Sequence, residues 1–428
     1  MIDKQPRILV ISVASWNSKV GSNTWTTLLK NYESENIAHL YIRDEIPDNN
    51  IGSRYFSISE NKVMKSVFNR EIKTGREVEP QLLQENTKDL IEHNERYQKM
   101  QKKRRYSLLM ARELVWKFGK WKTAELDAFL DSYQPQVILH SMESYIHLNR
   151  IIEYVLERTG AKAVGYIWDD NFTYKQSGEF GHKIYRFFQR RSLKRLAKKT
   201  SSFFAISDMT KEEADAFFGI DSVVLTKPLS VEPKVNYSDI HYPINAVYTG
   251  NLMIGRDKTL ARIVKAAEEV NKDGLKIKFD IYTRTALNDD VKNILNCGYC
   301  QLHDPVPQEE VLEIQRKSDM LLFVEDIDGK DSKIARLSFS TKITDYLSSG
   351  KCIFAVGCKE TAPMQYFIKK EAAITATDDK EIKEKLKMVV DNPDLLIQYA
   401  EKSCKSGIEN HSEEKILNTF DTVIKLVL

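Results

Sequence analysis

Ser340, Thr341, Lys342 and Asp345 place two hydroxyls, an amine and a carboxylate within six positions. A carboxylate can accept two hydrogen bonds from a sugar diol, and a helix start with free N–H groups favours an anion. The four lie in SFSTKITDYLSSG (338–350), between the apolar runs DMLLFVE (319–325) and CIFAVG (352–357). The pattern predicts a short helix between two buried strands, capped by Ser340 or Thr341 and ended by Gly350. Ile343, Tyr346 and Leu347, spaced i, i+3, i+4, would face the sheet, leaving Lys342, Asp345 and Ser349 on the other side. Such an element would grip both halves of a nucleoside diphosphate, the ribose at Asp345 and the phosphates at the helix start. An amphipathic helix with a merely solvated polar side fits the same periodicity.

The elements that must position these residues recur along the chain. INAVYT (244–249) reads as a strand, followed by GNLMIGRDK and a helix from about Thr259. Gly250 and Gly255 would let the backbone approach a ligand at Asn251, and Arg256 and Lys258 add positive charge near a helix start. The loop is neither GxGxxG nor GxxxxGK[ST], which takes support from dinucleotide-binding and P-loop readings. Val306 sits in a stiff loop, DPVP (304–307), ahead of a helix from Gln308. In the N-terminal half, RILVISVA (7–14) reads as a strand buried on both faces and runs into a polar loop with Gly21. QVILHSM (136–142) carries His140 and leads to Glu143, and KAVGYIWD (162–169) delivers Asp169 and Asp170. Polar residues at strand ends are where α/β proteins place their chemistry. His140 reads equally as a satisfied structural histidine, and the two aspartates as caps.

At 428 residues the chain exceeds one comfortable core, so two domains are expected. The best linker is 231–243, with two prolines; it divides an α/β domain at 1–230, bearing an insertion at about 46–122, from a second at 244–412. The helix of 413–428 would pack back on the first domain. Residues from about 46 to 96 look irregular and polar. Five cysteines and no signal-peptide pattern at the N-terminus point to a reducing cytoplasm. Cys297 and Cys300 form a lone CxxC, weak for zinc without a second pair. Asp326-Ile327-Asp328 spells DxD but follows a strand and reads as a loop.

Two blocks concentrate positive charge. Between 99 and 122 nine Lys or Arg face one acid, Glu113, with Trp116 and Trp121 interleaved. From 182 to 199 Lys183, Arg186, Arg190, Arg191 and Lys194 belong to a run without any acid. Basic helices with interleaved aromatics suit an anionic membrane surface, and solvated faces of core helices fit as well. No DNA- or RNA-reading motif accompanies them, which argues against nucleic acid.

STKITDYLSSGKCIFAVG resembles the nucleotide-sugar-binding segment of GT-B glycosyltransferases, in particular the large retaining family four, and INAVYTGNLMIGRDKTL resembles the first strand and phosphate loop of that lobe. ILHSMES, YIWDDNFTY and FFAISDMTKEEADAFFGIDSVVL resemble the acceptor lobe of bacterial capsule and exopolysaccharide transferases. The resemblance implies an α/β chain of two Rossmann-like parallel-sheet domains facing a cleft. It places Asp345 at the acid that holds the donor ribose. Arg256 and Lys258 fall at the cations on the diphosphate, with Ser340, Thr341 and Lys342 at the phosphate side of the motif helix; Gly21, Gly250, Asn251 and Val306 join the donor site. His140 falls near a histidine that contacts the donor sugar, and Asp169 or Asp170 near an acid that faces the acceptor; the resemblance thus implies Arg256, Lys258, His140 and Asp170 as catalytic residues and Asp169 and Glu143 as acceptor residues. Leu337 stands where the family has its other glutamate. The resemblance further implies sugar transfer with retention from a nucleotide-sugar, UDP-sugar favoured, without metal or cofactor. The acceptor would be a saccharide or polyprenyl-diphosphate-linked saccharide, for surface polysaccharide, in the cytoplasm or on the inner face of the cell membrane. A GT-B binding protein without turnover and a nucleotide-sugar epimerase remain alternatives.

Overall fold

Short apolar runs bounded by polar turns become the strands of two sheets in the computed structural model, which describes residues 5–16, 24–80, 106–237, 240, 242–329 and 331–428. The described residues fall into two units, the first 1–225 with 418–428 and the second 226–417. Each is an α/β unit built on its own largely parallel sheet.

The first sheet contains β1 (Ile8–Ser12), β2 (Ile37–Tyr41), β3 (Arg54–Ile58), β4 (Gly75–Val78), β5 (Val137–Ser141), β6 (Lys162–Ile167), β7 (Ser202–Ala205) and β8 (Val223–Val224). Their order is β4-β3-β2-β1-β5-β6-β7-β8, and all neighbours are parallel except β3 and β4. Ile8 to Ile11 are fully buried because helices cover both faces of a parallel sheet. Part of the segment expected to be irregular is regular: β3, the helix Glu60–Ser66 and β4 extend this sheet. In the same unit the last helix sets the Phe420 ring on Phe204, centroids 5.8 Å apart, and Tyr32 donates to Asp421 at 3.0 Å.

The second sheet contains β9 (Ile244–Thr249), β10 (Ile277–Tyr282), β11 (Cys300–His303), β12 (Met320–Val324), β13 (Cys352–Val356) and β14 (Ile374–Ala376). Their order is β11-β10-β9-β12-β13-β14, parallel throughout. Phe354 on β13 is wholly buried, so its truncation to Ala is expected to cost about 3–5 kcal/mol. Strand order reverses between β9 and β12, and ligands in open α/β sheets bind outside the strand ends at such a point.

The basic helices correct the expectation of a Trp-rich membrane face. In the helix Tyr106–Phe118, Trp116 is fully buried, stacked on His147 at 4.7 Å. Its indole N–H donates to Glu60 at 3.3 Å, and the same carboxylate pairs with Arg112. Trp121 is buried edge-on against Tyr154. Arg186 is also buried, donating to Gln176 at 2.6 Å, and Arg190 donates to the Phe172 carbonyl with its guanidinium 4.1 Å from the Phe217 ring. These indoles and Arg186 therefore belong to the interior. Lys183, Arg191 and Lys194 are exposed.

Candidate active site

Tyr248, near the end of β9, organises the carboxyl edge of the second sheet. Its buried hydroxyl donates to the Asn251 carbonyl at 2.5 Å, fixing the start of the following loop. The same oxygen accepts from the Lys342 ammonium at 3.1 Å, which also lies 4.4 Å from the ring centroid. Gly250, at φ +134°, makes this close approach possible, because a Cβ there would lie 2.2 Å from Lys342 Nζ. The loop ends at Gly255, whose φ of +75° starts the helix Arg256–Val270.

Arg256 reaches across the strand-order reversal to Glu325, the residue after β12. Its Nη2 donates to Oε1 at 2.9 Å and its Nε to Oε2 at 3.2 Å, while Nη1 donates to Asn251 Oδ1 at 3.1 Å. Burial opposes the Arg256 charge, and Glu325 more than offsets that, so the guanidinium stays firmly protonated. Lys342 has no ion pair among the described residues. Burial lowers its pKa to about 7, Arg256 adds to the fall, and Glu325 and Asp345 oppose it. One fixed cation and one adjustable cation thus share this edge. A bound anion would draw the second toward its charged form.

Asp345 lies on the same short helix, part-exposed, and accepts from Lys227 at 2.8 Å through Oδ1. Its Oδ2 makes no hydrogen bond among the described residues. That helix, Lys342–Leu347, has only six residues. Thr341 precedes it in a helical conformation without a side-chain cap bond, and Ser340 Oγ accepts from the Lys342 N–H at 3.3 Å. So short a helix aligns few peptide dipoles, and the Lys342 side chain brings a full charge to the same place. Lys258, in the first turn of the helix Arg256–Val270, is exposed and makes no ion pair among the described residues. Val306 is part-buried in the loop after β11, at the same edge of the sheet. Gly21 lies outside the described residues.

The DxD stretch is a turn. Asp326 accepts from the backbone N–H groups of Asp328, Asp331 and Ser332 at 3.3, 2.8 and 3.0 Å, and Asp328 pairs with Arg262. Leu337 is completely buried.

Glu143 and Asp169 follow β5 and β6 at the carboxyl edge of the first sheet, both part-exposed. Burial pushes the Glu143 carboxyl up to about 7; a hydrogen bond from Ser141 at 3.0 Å and the charge of Arg43 work against this, and Asp169 reinforces it. His140 and Asp170, expected as catalytic candidates, are both wholly buried, whereas a group that meets substrate must present an atom to it. His140 is wholly buried with Nε2 3.1 Å from Thr200 Oγ1, and burial lowers its pKa to about 4. Asp170, equally buried, accepts from the Thr173 N–H at 2.8 Å and from its hydroxyl.

The chain matches sucrose-phosphate synthase from Thermosynechococcus elongatus with a TM-score of 0.61 at 9% identity, covering 99% of each chain. The fold is GT-B. Anabaena HepE, solved with UDP and glucose, has a TM-score of 0.61 to this GT-B chain at 10% identity, covering 98% of this chain and 100% of that one. The alpha,alpha-trehalose 6-phosphate synthase of Burkholderia multivorans gives 0.57 at 10% identity, covering 99% and 97%. No family model and no curated protein matches the sequence. Tyr248 and Lys227, the partners of Lys342 and Asp345 in this GT-B chain, are residues that sequence reasoning missed. A tyrosine near a strand's end and a lysine before Pro228 were the only signals they left.

Proposed function

We propose that the chain transfers a sugar from a nucleotide-sugar, UDP-sugar favoured, to a saccharide or polyprenyl-diphosphate-linked saccharide, with retention and without a metal ion. The observation that carries this reading is the pairing of two cations, Arg256 and Lys342, close enough to repel each other at the strand-order reversal of the second sheet, with the Lys342 amine seated where Gly250 lacks a side chain. Solved proteins that share the fold include a sucrose-phosphate synthase and a protein solved with UDP and glucose, which supports a UDP-sugar donor.

Breaking a sugar–phosphate bond leaves an oxocarbenium-like sugar and a nucleoside diphosphate gaining negative charge. Arg256, held in place by Glu325, and Lys342, held by Tyr248, would stabilise that leaving group without reorganising. Asp345 would accept from the ribose through its open oxygen. Glu143, with Asp169 beside it, is the carboxyl suited to receive the acceptor proton, because its raised pKa sits near neutral pH. A lipid-linked acceptor would bring the chain to the inner leaflet as a peripheral protein of surface polysaccharide synthesis.

Calorimetric titration with UDP, GDP and dTDP tests the donor site, and release of nucleotide from UDP-, GDP- and dTDP-sugars tests the chemistry. Failure of all three nucleotides to bind overturns the proposal. A GT-B protein that binds donor without turnover is the second reading, favoured by the buried, apolar Leu337 where the family has a glutamate. Nucleotide binding without release of nucleotide from any sugar, with and without saccharide acceptors, would select it.

A further inference from the structure

The helix Phe180–Ala197 has its amphipathicity inverted over its first turns. Phe180, Ile184, Phe187 and Phe188, spaced i, i+4, i+7, i+8, carry the pattern that normally faces a core. They are 78%, 40%, 49% and 45% exposed, while His182, Arg186 and Gln189 occupy the buried side. Folding therefore leaves much of this apolar row in solvent, and exposed apolar patches of this kind mark interaction sites. Tyr174 lies alongside, and with Lys183, Ile184, Phe187 and Phe188 it lines an open hollow of about 630 Å³.

The same outward face continues as Arg191, Lys194 and Lys198, all exposed. The helix contains no acid. Farther along, Arg195 pairs with Glu153 and Lys199 with Glu157. Lys183, Arg191, Lys194 and Lys198 have no ion pair among the described residues. One face thus offers aromatic and aliphatic side chains at one end and uncompensated positive charge at the other.

We propose that this face docks on an anionic lipid bilayer, with Phe180, Ile184, Phe187 and Phe188 in the interfacial layer and Arg191, Lys194 and Lys198 on the headgroups. Aromatic rings favour that interfacial depth, and cations near anionic headgroups add attraction that a neutral surface lacks. A second copy of the chain is a poorer occupant, because the same basic face on the partner offers these unpaired cations no anionic group. The inference requires no step of sugar transfer, and its failure leaves nucleotide binding untouched.

Co-sedimentation of the full chain with phosphatidylcholine vesicles, with and without phosphatidylglycerol, tests it. Binding is expected only with phosphatidylglycerol, weakening as salt rises. The triple variant Ile184→Ser, Phe187→Ser, Phe188→Ser should lose that binding while keeping its thermal melt and its affinity for UDP. The quadruple change of Lys183, Arg191, Lys194 and Lys198 to Gln should lower partitioning at least about a hundredfold, at roughly fivefold per cation. A wild-type chain that stays in the supernatant at low salt overturns the proposal, as does a triple variant that binds like the wild type. A dimer in sedimentation equilibrium that the triple variant dissolves, without vesicle binding, assigns the face to a second copy instead.

Discussion

Arg256 and Glu325 form a forked ion pair, 2.9 Å from Nη2 to Oε1 and 3.2 Å from Nε to Oε2, across the two strands where the second sheet reverses its order. The acid aims the base, and neither is free to wander. Replacing Glu325 by Ala leaves a largely buried guanidinium without its counter-charge, so denaturant melts should show a loss of about 3–5 kcal/mol. Glu325→Gln keeps one acceptor and should lose less, and UDP affinity should follow the same ranking.

Arg256→Ala is expected to lower sugar transfer about a hundredfold or more, as losing a preorganised donor to a developing anion does. Lys258→Ala should have a far smaller effect, because its side chain is exposed and no ion pair among the described residues fixes its position. Steady-state rates of the two single variants decide this, and equal losses would place Lys258 in the site.

Gly250→Ala puts a methyl where Lys342 Nζ now lies, in a backbone conformation that side chains avoid. The strain should cost about 1–3 kcal/mol in thermal or denaturant melts. UDP affinity should fall at least tenfold, and a variant with unchanged affinity would show that Lys342 does not need this seat.

Lys342 fixes the expected pH dependence. Its ammonium loses its proton near pH 7 in the empty chain. Below that pH the charge is already present and UDP binding should be flat. Above it binding must take up a proton, so the Kd should rise by up to about tenfold per pH unit. Calorimetry in buffers of different ionisation heat should count that proton, and Lys342→Met should remove both the slope and the uptake.

Asp345→Ala leaves the Lys227 ammonium, as little exposed as the Arg256 guanidinium, without its counter-charge, so a stability loss of about 1–3 kcal/mol is expected. Nucleotide-sugar affinity should also fall, and unchanged binding would remove Asp345 from the ribose role.

Strands β12 and β13 were legible because each is an uninterrupted apolar run between turn residues, and β9 because only Asn245 interrupts its run. β3 (RYFSI) and β4 (GREV) were not, since polar residues break their runs and β4 lies at the sheet edge. The short β11 and β14 left equally little signal. Gly250, Arg256, Lys342 and Asp345 were legible by residue type, yet their partners were hidden by distance along the chain. Lys227 meets Asp345 across 118 positions and Arg256 meets Glu325 across 69. Trp116 shows how composition misleads: the basic stretch around it suggested a surface, but Glu60 takes Arg112 and His147 covers the indole. Phe187 and Phe188 reverse the error, being aromatics in a helical pattern that the fold leaves outside.

Gly255 rests so closely on Asp326 that a single added carbon would come within 2.8 Å of it, and Asp326 in turn holds the turn that follows β12. The two rims of the crevice are consequently one braced surface and not a pair of hinged flaps. A visitor would find its berth already shaped, forfeiting little to tidying the loops on arrival, and capture should approach the speed of collision with few slow, saturating phases in stopped flow.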